Sequence, residues 1–220
     1  MRGDDYLSQS DLDKLATSWL AKIHAEVAPR PRFVLEPKSC ALLVIDMVRY
    51  FAAPDERCYL PVTDAITPRI AALLTAWRRF NGPVIYTQHC HQGKDDLGLM
   101  GKFYTDYIRA GLPEAEIIPA LAPEPGEIVL PKQTYDAFTG TALQEILIEQ
   151  KMKQVMITGI LTHMCCESTA RAAFCRGFEV YLPVDAMASN REERHLNSLI
   201  GMADCIGIAT RTSEVLRSCE

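Results

Sequence analysis

Of the many polar side chains in this 220-residue sequence, three fall where chemistry is done. Asp46 closes the apolar run ALLVI, Lys132 follows the run EIVLP, and Cys165 lies a few residues beyond QVMIT. Each run reads as a β-strand, so all three groups sit just past the carboxyl end of a predicted strand. In open parallel sheets the ligand crevice lies along that edge. A free thiol has a pKa of about 8.5, and only the thiolate attacks. Helix N–H groups beside Cys165 and the Lys132 ammonium are expected to lower that pKa. Asp46 would take the thiol proton and later deliver it to a leaving amine. The turn before Cys165 offers backbone N–H groups for an oxyanion hole. Cys166 is the rival nucleophile, while Cys40, Cys58, Cys90, Cys175, Cys205 and Cys219 read as small, inert core residues.

The elements that must position these groups alternate strand and helix, the pattern of a parallel sheet covered on both faces. Strands are expected at residues 41–46, 83–88, 127–130, 154–158, 178–183 and 205–209. Helices are expected at about 11–27, 67–80, 141–151, 165–176 and 192–204. Thr67 and Pro68 read as the N-cap and first residue of the second helix. Gly177 reads as the stop of the helix that begins near Cys165. Residues 89–126 are irregular and rich in Gly and Pro, which suits a lid or a subunit contact.

Composition narrows the function. Hydrophobic residues make up 48% and charged residues 23%, ordinary globular usage for one domain with a large core. The net charge of -5 argues against a nucleic-acid partner. No apolar run is long enough to span a bilayer. The acidic, polar start MRGDDYLSQSDLDK does not read as a signal peptide. With eight cysteines in neither disulfide-framework nor zinc-ligand spacing, the expectation is a cytoplasmic protein with reduced thiols.

Four stretches resemble the isochorismatase-like hydrolase superfamily, the cysteine hydrolases: ALLVIDMVRYF, VIYTQ, LPKQTYDAF and ITGILTHMCCESTARAAFCRGFEVYLPVDAMAS. They occur in the family order over roughly residues 35–210. The resemblance implies a three-layer α/β/α, Rossmann-like fold with six parallel strands in the order 3-2-1-4-5-6. On that basis residues 1–28 form an N-terminal helical extension and residues 29–220 the hydrolase domain. It implies a catalytic triad of Asp46, Lys132 and Cys165. It also implies a cis Ile160–Leu161 peptide and an oxyanion hole from the N–H groups of Leu161 and Cys165. Assembly as a homodimer or homotetramer is a further implication.

The resemblance leaves two chemistries open. Family amidases carry the cysteine, and isochorismatases often have glycine at that position. Cys165 therefore favours cleavage of an amide, ureido or carbamoyl C–N bond in a small molecule through a thioester. DMVRYF and Thr162–His163 lean toward the isochorismatase branch, where Asp46 would protonate a vinyl ether. A non-catalytic binding scaffold is the alternative of another class. Arg49, Tyr50, Gln88, Tyr135, Phe138 and His163 are the candidate substrate contacts. Each also has a plain reading: a solvated arginine, a packed aromatic or a hydrogen-bonded polar side chain. Nicotinamidase-like members carry an Asp-x-His element after the first strand, but no His follows Asp46 before His89. His89 and His91 alone make a poor site. The expectation is no metal and no cofactor.

Overall fold

Runs of β-branched and other apolar residues between turn signals give this chain its strands, and 3.6-residue apolar stripes give its helices. The computed structural model describes residues 6–220. In chain order the elements are α1 (Leu12–Glu26), β1 (Cys40–Ile45), α2 (Arg49–Ala52), α3 (Val62–Arg79), β2 (Val84–His89), α4 (Met100–Phe103) and β3 (Ile128–Lys132). Then follow α5 (Leu143–Glu149), β4 (Gln154–Ile160), α6 (Glu167–Cys175), β5 (Glu179–Pro183), β6 (Met187–Ala188), α7 (Glu192–Cys205), β7 (Gly207–Thr210) and α8 (Thr212–Ser218). All the strand pairs are parallel, in the order β3-β2-β1-β4-β5-β7. Helices flank this sheet: α3 packs with α8, α6 with α7, and α1 lies on α7 and β7. Leu12, Ala16, Trp19, Leu20 and Ile23 of α1 enter the main core.

The central strands β1 and β4 are buried at every position, as expected where both faces are covered. Each such Leu, Ile or Val contributes roughly 1.5–3 kcal/mol by leaving water. Edge strand β3 instead alternates between exposed and partly buried residues, yet it ends on a fully buried lysine, Lys132. A buried ammonium must be paired. That requirement points to the site before any ligand is considered.

Three expectations need correction. The second helix starts at Val62, so Pro68 lies inside it and Thr67 is no cap; the Thr67 hydroxyl donates to Thr63 O. Burial of Val62, Ala65, Ile66, Ile70, Leu73, Leu74 and Trp77 runs through the proline and outweighs its missing N–H. The strand near residue 207 is seventh in the chain. After β5 ends at Pro183 the chain turns and adds the two-residue β6 beside the far end of β4, pairing Gly159 with Met187. Finally, Cys165 does not open an α-helix. It lies in a π-helical turn, Thr162–Cys166, that leads into α6.

Candidate active site

Strand register brings the carboxyl ends of β1 and β4 level, with Ile45 beside Gly159. There is no room for a side chain between them. A Cβ on Gly159, at φ 102°, would lie 2.1 Å from Ile45 O. The chain leaves β1 through Asp46, held at φ 51°, a left-handed conformation that Asp tolerates better than most residues. That turn tips the Asp46 carboxylate over the end of β2. There Oδ1 accepts from Thr87 Oγ1 at 2.7 Å and from the His89 N–H at 3.1 Å.

This tilt explains how Lys132 reaches the site although β3 is not a neighbour of β1. The carboxylate covers part of the distance and the long lysine covers the rest. Lys132 Nζ lies 2.7 Å from Asp46 Oδ2, with the two side chains 0% and 1% exposed. It also donates to Thr134 O at 2.9 Å and contacts Cys165 Sγ at 3.5 Å. The short Nζ–Oδ2 contact is a buried ion pair. Cys165 follows β4 by way of the cis Ile160–Leu161 peptide and the π turn.

Electrostatics assign the resting protons. Burial pushes the Asp46 carboxyl up, but the Lys132 ammonium, His89 and the Thr87 hydroxyl outweigh it and hold the group below its ordinary range. Burial pushes the Lys132 ammonium down, and the charge of Asp46 beside it more than offsets that, so the lysine stays protonated. Burial raises the Cys165 thiol to about 12, with Asp46 adding to the rise and Lys132 opposing it. The expected low thiol pKa is therefore reversed in the resting site. Burial outweighs the single ammonium, and the neighbouring carboxylate disfavours a second negative charge.

A cavity of about 180 Å³ opens on this group. Asp46, Leu161 and Cys165 line it, together with Tyr50 and Tyr135. Tyr50 donates to Asp106 Oδ2, and Tyr135 shares a 2.8 Å hydrogen bond with Tyr104. The other four candidate contacts lie elsewhere. Arg49 pairs with Asp55 near the surface, and the Gln88 amide donates to Ala115 O. Phe138 is buried against Phe178 with the Arg176 guanidinium over its ring, and His163 bonds Ser189 Oγ at 2.9 Å. None of the four is among the residues that line the cavity.

Sequence reasoning missed much of the wall. Leu97, Met100 and Tyr104 to Ile108 come from the irregular segment after β2, where no periodicity marks inward-facing positions. The segment is fixed to the body by Arg57, which binds both Asp106 and Glu114. His89 and His91 also line the cavity, their rings 5.1 Å apart. Burial and Lys132 push His89 down to about 4. Among the described residues no three His, Cys, Asp or Glu side chains converge as a metal cage.

A doubly wound parallel sheet with a thiol, an ammonium and a carboxylate at its switch point defines a class of α/β hydrolase. The isochorismatase domain family matches residues 40–214, and the chain belongs to that family of hydrolases. It is 36% identical to nicotinamidase 3 of Arabidopsis thaliana over 170 residues, covering 76% of this chain and 81% of the relative. It is 30% identical to enterobactin synthase component B of Escherichia coli K12, covering 93% of this chain and 72% of the relative. Among solved structures, a cysteine hydrolase from Pseudomonas syringae pv. phaseolicola 1448A superposes with a TM-score of 0.83 at 29% identity. That match covers 87% of this chain and 97% of the other.

Proposed function

We propose that this hydrolase cleaves the C–N bond of a small, uncharged amide, ureido or carbamoyl compound, with Cys165 as nucleophile. The carrying observation is the contact of Cys165 Sγ with Lys132 Nζ at 3.5 Å, inside a cavity that also exposes the Asp46 carboxylate. The resting thiol is protonated, so activation coincides with attack. As Sγ bonds the carbonyl carbon, its proton passes to Asp46. The oxygen becomes an oxyanion facing the N–H groups of Leu161 and Cys165. Loss of one such donor typically costs about 10²–10³-fold in rate. The tetrahedral species collapses, the C–N bond breaks, and Asp46 returns the proton to the departing amine. Water then attacks the thioester, giving its proton to Asp46, and the acid leaves as the thiol reforms. Lys132 balances the charge of Asp46 throughout.

The cavity wall supports an uncharged substrate. Among the described lining residues there is no arginine and no lysine. Arg57 is engaged by Asp106 and Glu114, and Arg49 by Asp55. Isochorismate, a dicarboxylate, would bring two buried anions without partners. Vinyl-ether protonation would also need a protonated Asp46, and Lys132 holds that group ionised. Nicotinamide, an uncharged aromatic carboxamide suited to the tyrosine-lined wall, is the first compound to assay in view of the nicotinamidase relative.

The test is a panel of amides, ureas and isochorismate with the wild type and Cys165→Ala. The expected result is hydrolysis of an uncharged amide that disappears in Cys165→Ala, with an acyl mass on the Cys165 peptide after acid quench. Full activity of Cys165→Ala on isochorismate, with loss in Asp46→Asn, would replace this reading with the vinyl-ether one.

A further inference from the structure

Cys165 is carried by a short turn whose first residue, Thr162, is fully buried behind the cavity. Helix α7 meets this residue from the far side. His195, 0% exposed, places Nδ1 2.8 Å from Thr162 Oγ1 and Nε2 3.2 Å from Val184 O. A carbonyl only accepts, so Nε2 carries the imidazole proton. Nδ1 must then accept, and the Thr162 hydroxyl donates to it. Burial lowers the His195 pKa to about 3, so this tautomer persists at working pH.

The surroundings hold the imidazole in place. Trp19 of α1 packs edge-on against it, ring centres 4.6 Å apart, and is itself fixed by a hydrogen bond to Glu192. Three residues along α7, Ser198 Oγ lies 3.3 Å from Thr162 O and donates to Glu167 Oε2 at 2.6 Å. Side chains one turn apart on α7 therefore meet the same residue, His195 accepting from its hydroxyl and Ser198 lying beside its carbonyl. Neither His195 nor Ser198 lines the cavity.

We infer that the Thr162–His195 hydrogen bond sets the seat of the Cys165 thiol, and that His195 is a positioning residue acting through Thr162. The inference rests on Cys165 being the nucleophile. A misplacement near 1 Å at the reacting atom costs on the order of 10²-fold, so a buried bond behind the turn has leverage over rate.

Thr162→Val removes the hydroxyl and keeps the shape, and Thr162→Ser keeps the hydroxyl. Each would be compared with wild type for kcat, KM and the rate of Cys165 alkylation by iodoacetamide, read by peptide mass spectrometry. Folding would be checked by thermal melts. The expected result is kcat down about tenfold or more in Thr162→Val, with KM within about twofold and alkylation of Cys165 changed in rate and pH profile. Thr162→Ser should match wild type. His195→Asn, which retains an acceptor near the Nδ1 position, should lose less kcat than His195→Ala.

Wild-type kcat and alkylation in a folded Thr162→Val enzyme would overturn the inference. So would equal impairment of Thr162→Ser and Thr162→Val, or a loss confined to KM. Failure of the nucleophile reading would look different: Cys165→Ala would be active, whatever the Thr162 variants did.

Discussion

At the scale of single residues, the proton inventory decides the pH behaviour. Asp46 has a depressed pKa, so its base form is present at neutral pH and is lost only as pH falls through that lowered value. The thiol, near 12, stays protonated across the same range. The free enzyme's kcat/KM should therefore be level through neutrality and fall only on the acid side. Alkylation of resting Cys165 should climb through alkaline pH with no plateau at neutrality; such a plateau would reveal a standing thiolate and contradict this inventory. Asp46, Lys132 and Cys165 were legible in the sequence because each follows an apolar run, and strand ends are where parallel sheets place ligands. The protonation of Cys165 was not legible. It depends on the balance of burial against one ammonium and one carboxylate, which spacing cannot supply. Arg49, Gln88, Phe138 and His163 sit near the motif residues in sequence, but each is engaged by another partner and none lines the cavity.

At the scale of elements, Asp46 and Cys165 depend on the close approach of β1 and β4. Gly159→Ala would put a methyl group into Ile45 O at a backbone angle that disfavours any Cβ. The expected cost is about 2–4 kcal/mol in chemical denaturation, with kcat reduced as the two strand ends part. The cavity wall has its own fastening. Glu114 is driven down to about 2 because the hydrogen bonds of Arg57 and Arg109 outweigh its burial. A depressed folded-state pKa contributes stability that is present above the ordinary carboxylate value and is lost as pH falls toward 2. Glu114→Gln should therefore lower the thermal midpoint at neutral pH and flatten its decline in acid. An unchanged acid limb would show that the clamp does not couple to folding. The sheet itself was readable from its buried runs. The extent of α3 was not, since Pro68 reads as a helix start while the apolar stripe continues through it, and neither was β6, whose two residues are too few for any period.

At the scale of the whole molecule, a protein of net charge -5 encloses a reaction group whose own charges cancel. An uncharged substrate would feel little of the outer field, so kcat/KM should change by less than about twofold from low to high ionic strength. A dianionic substrate would show a marked salt dependence, and stopped-time assays across a salt series would separate the two. Helices α1 and α7, remote in sequence from each other, share the buried layer behind the cavity. The architecture was anticipated because alternating strands and helices leave few ways to wind a parallel sheet. The wall built by the segment after β2 was not, because its shape comes from scattered ion pairs and not from a repeating pattern.

The pairing of Lys132 with Asp46 has a practical consequence. The two charges satisfy each other at 2.7 Å, so the buried centre does not need the sulfur to remain electrically balanced. Cys165→Ala should therefore be a disarmed receptor and not a collapsed one, retaining ligand with an affinity close to the wild-type KM. Incubated with a metabolite extract and washed, it would retain its natural ligand intact for mass spectrometry. Calorimetric titration with the recovered compound would confirm the capture, and loss of all binding in this variant would show that the thiol itself holds the substrate.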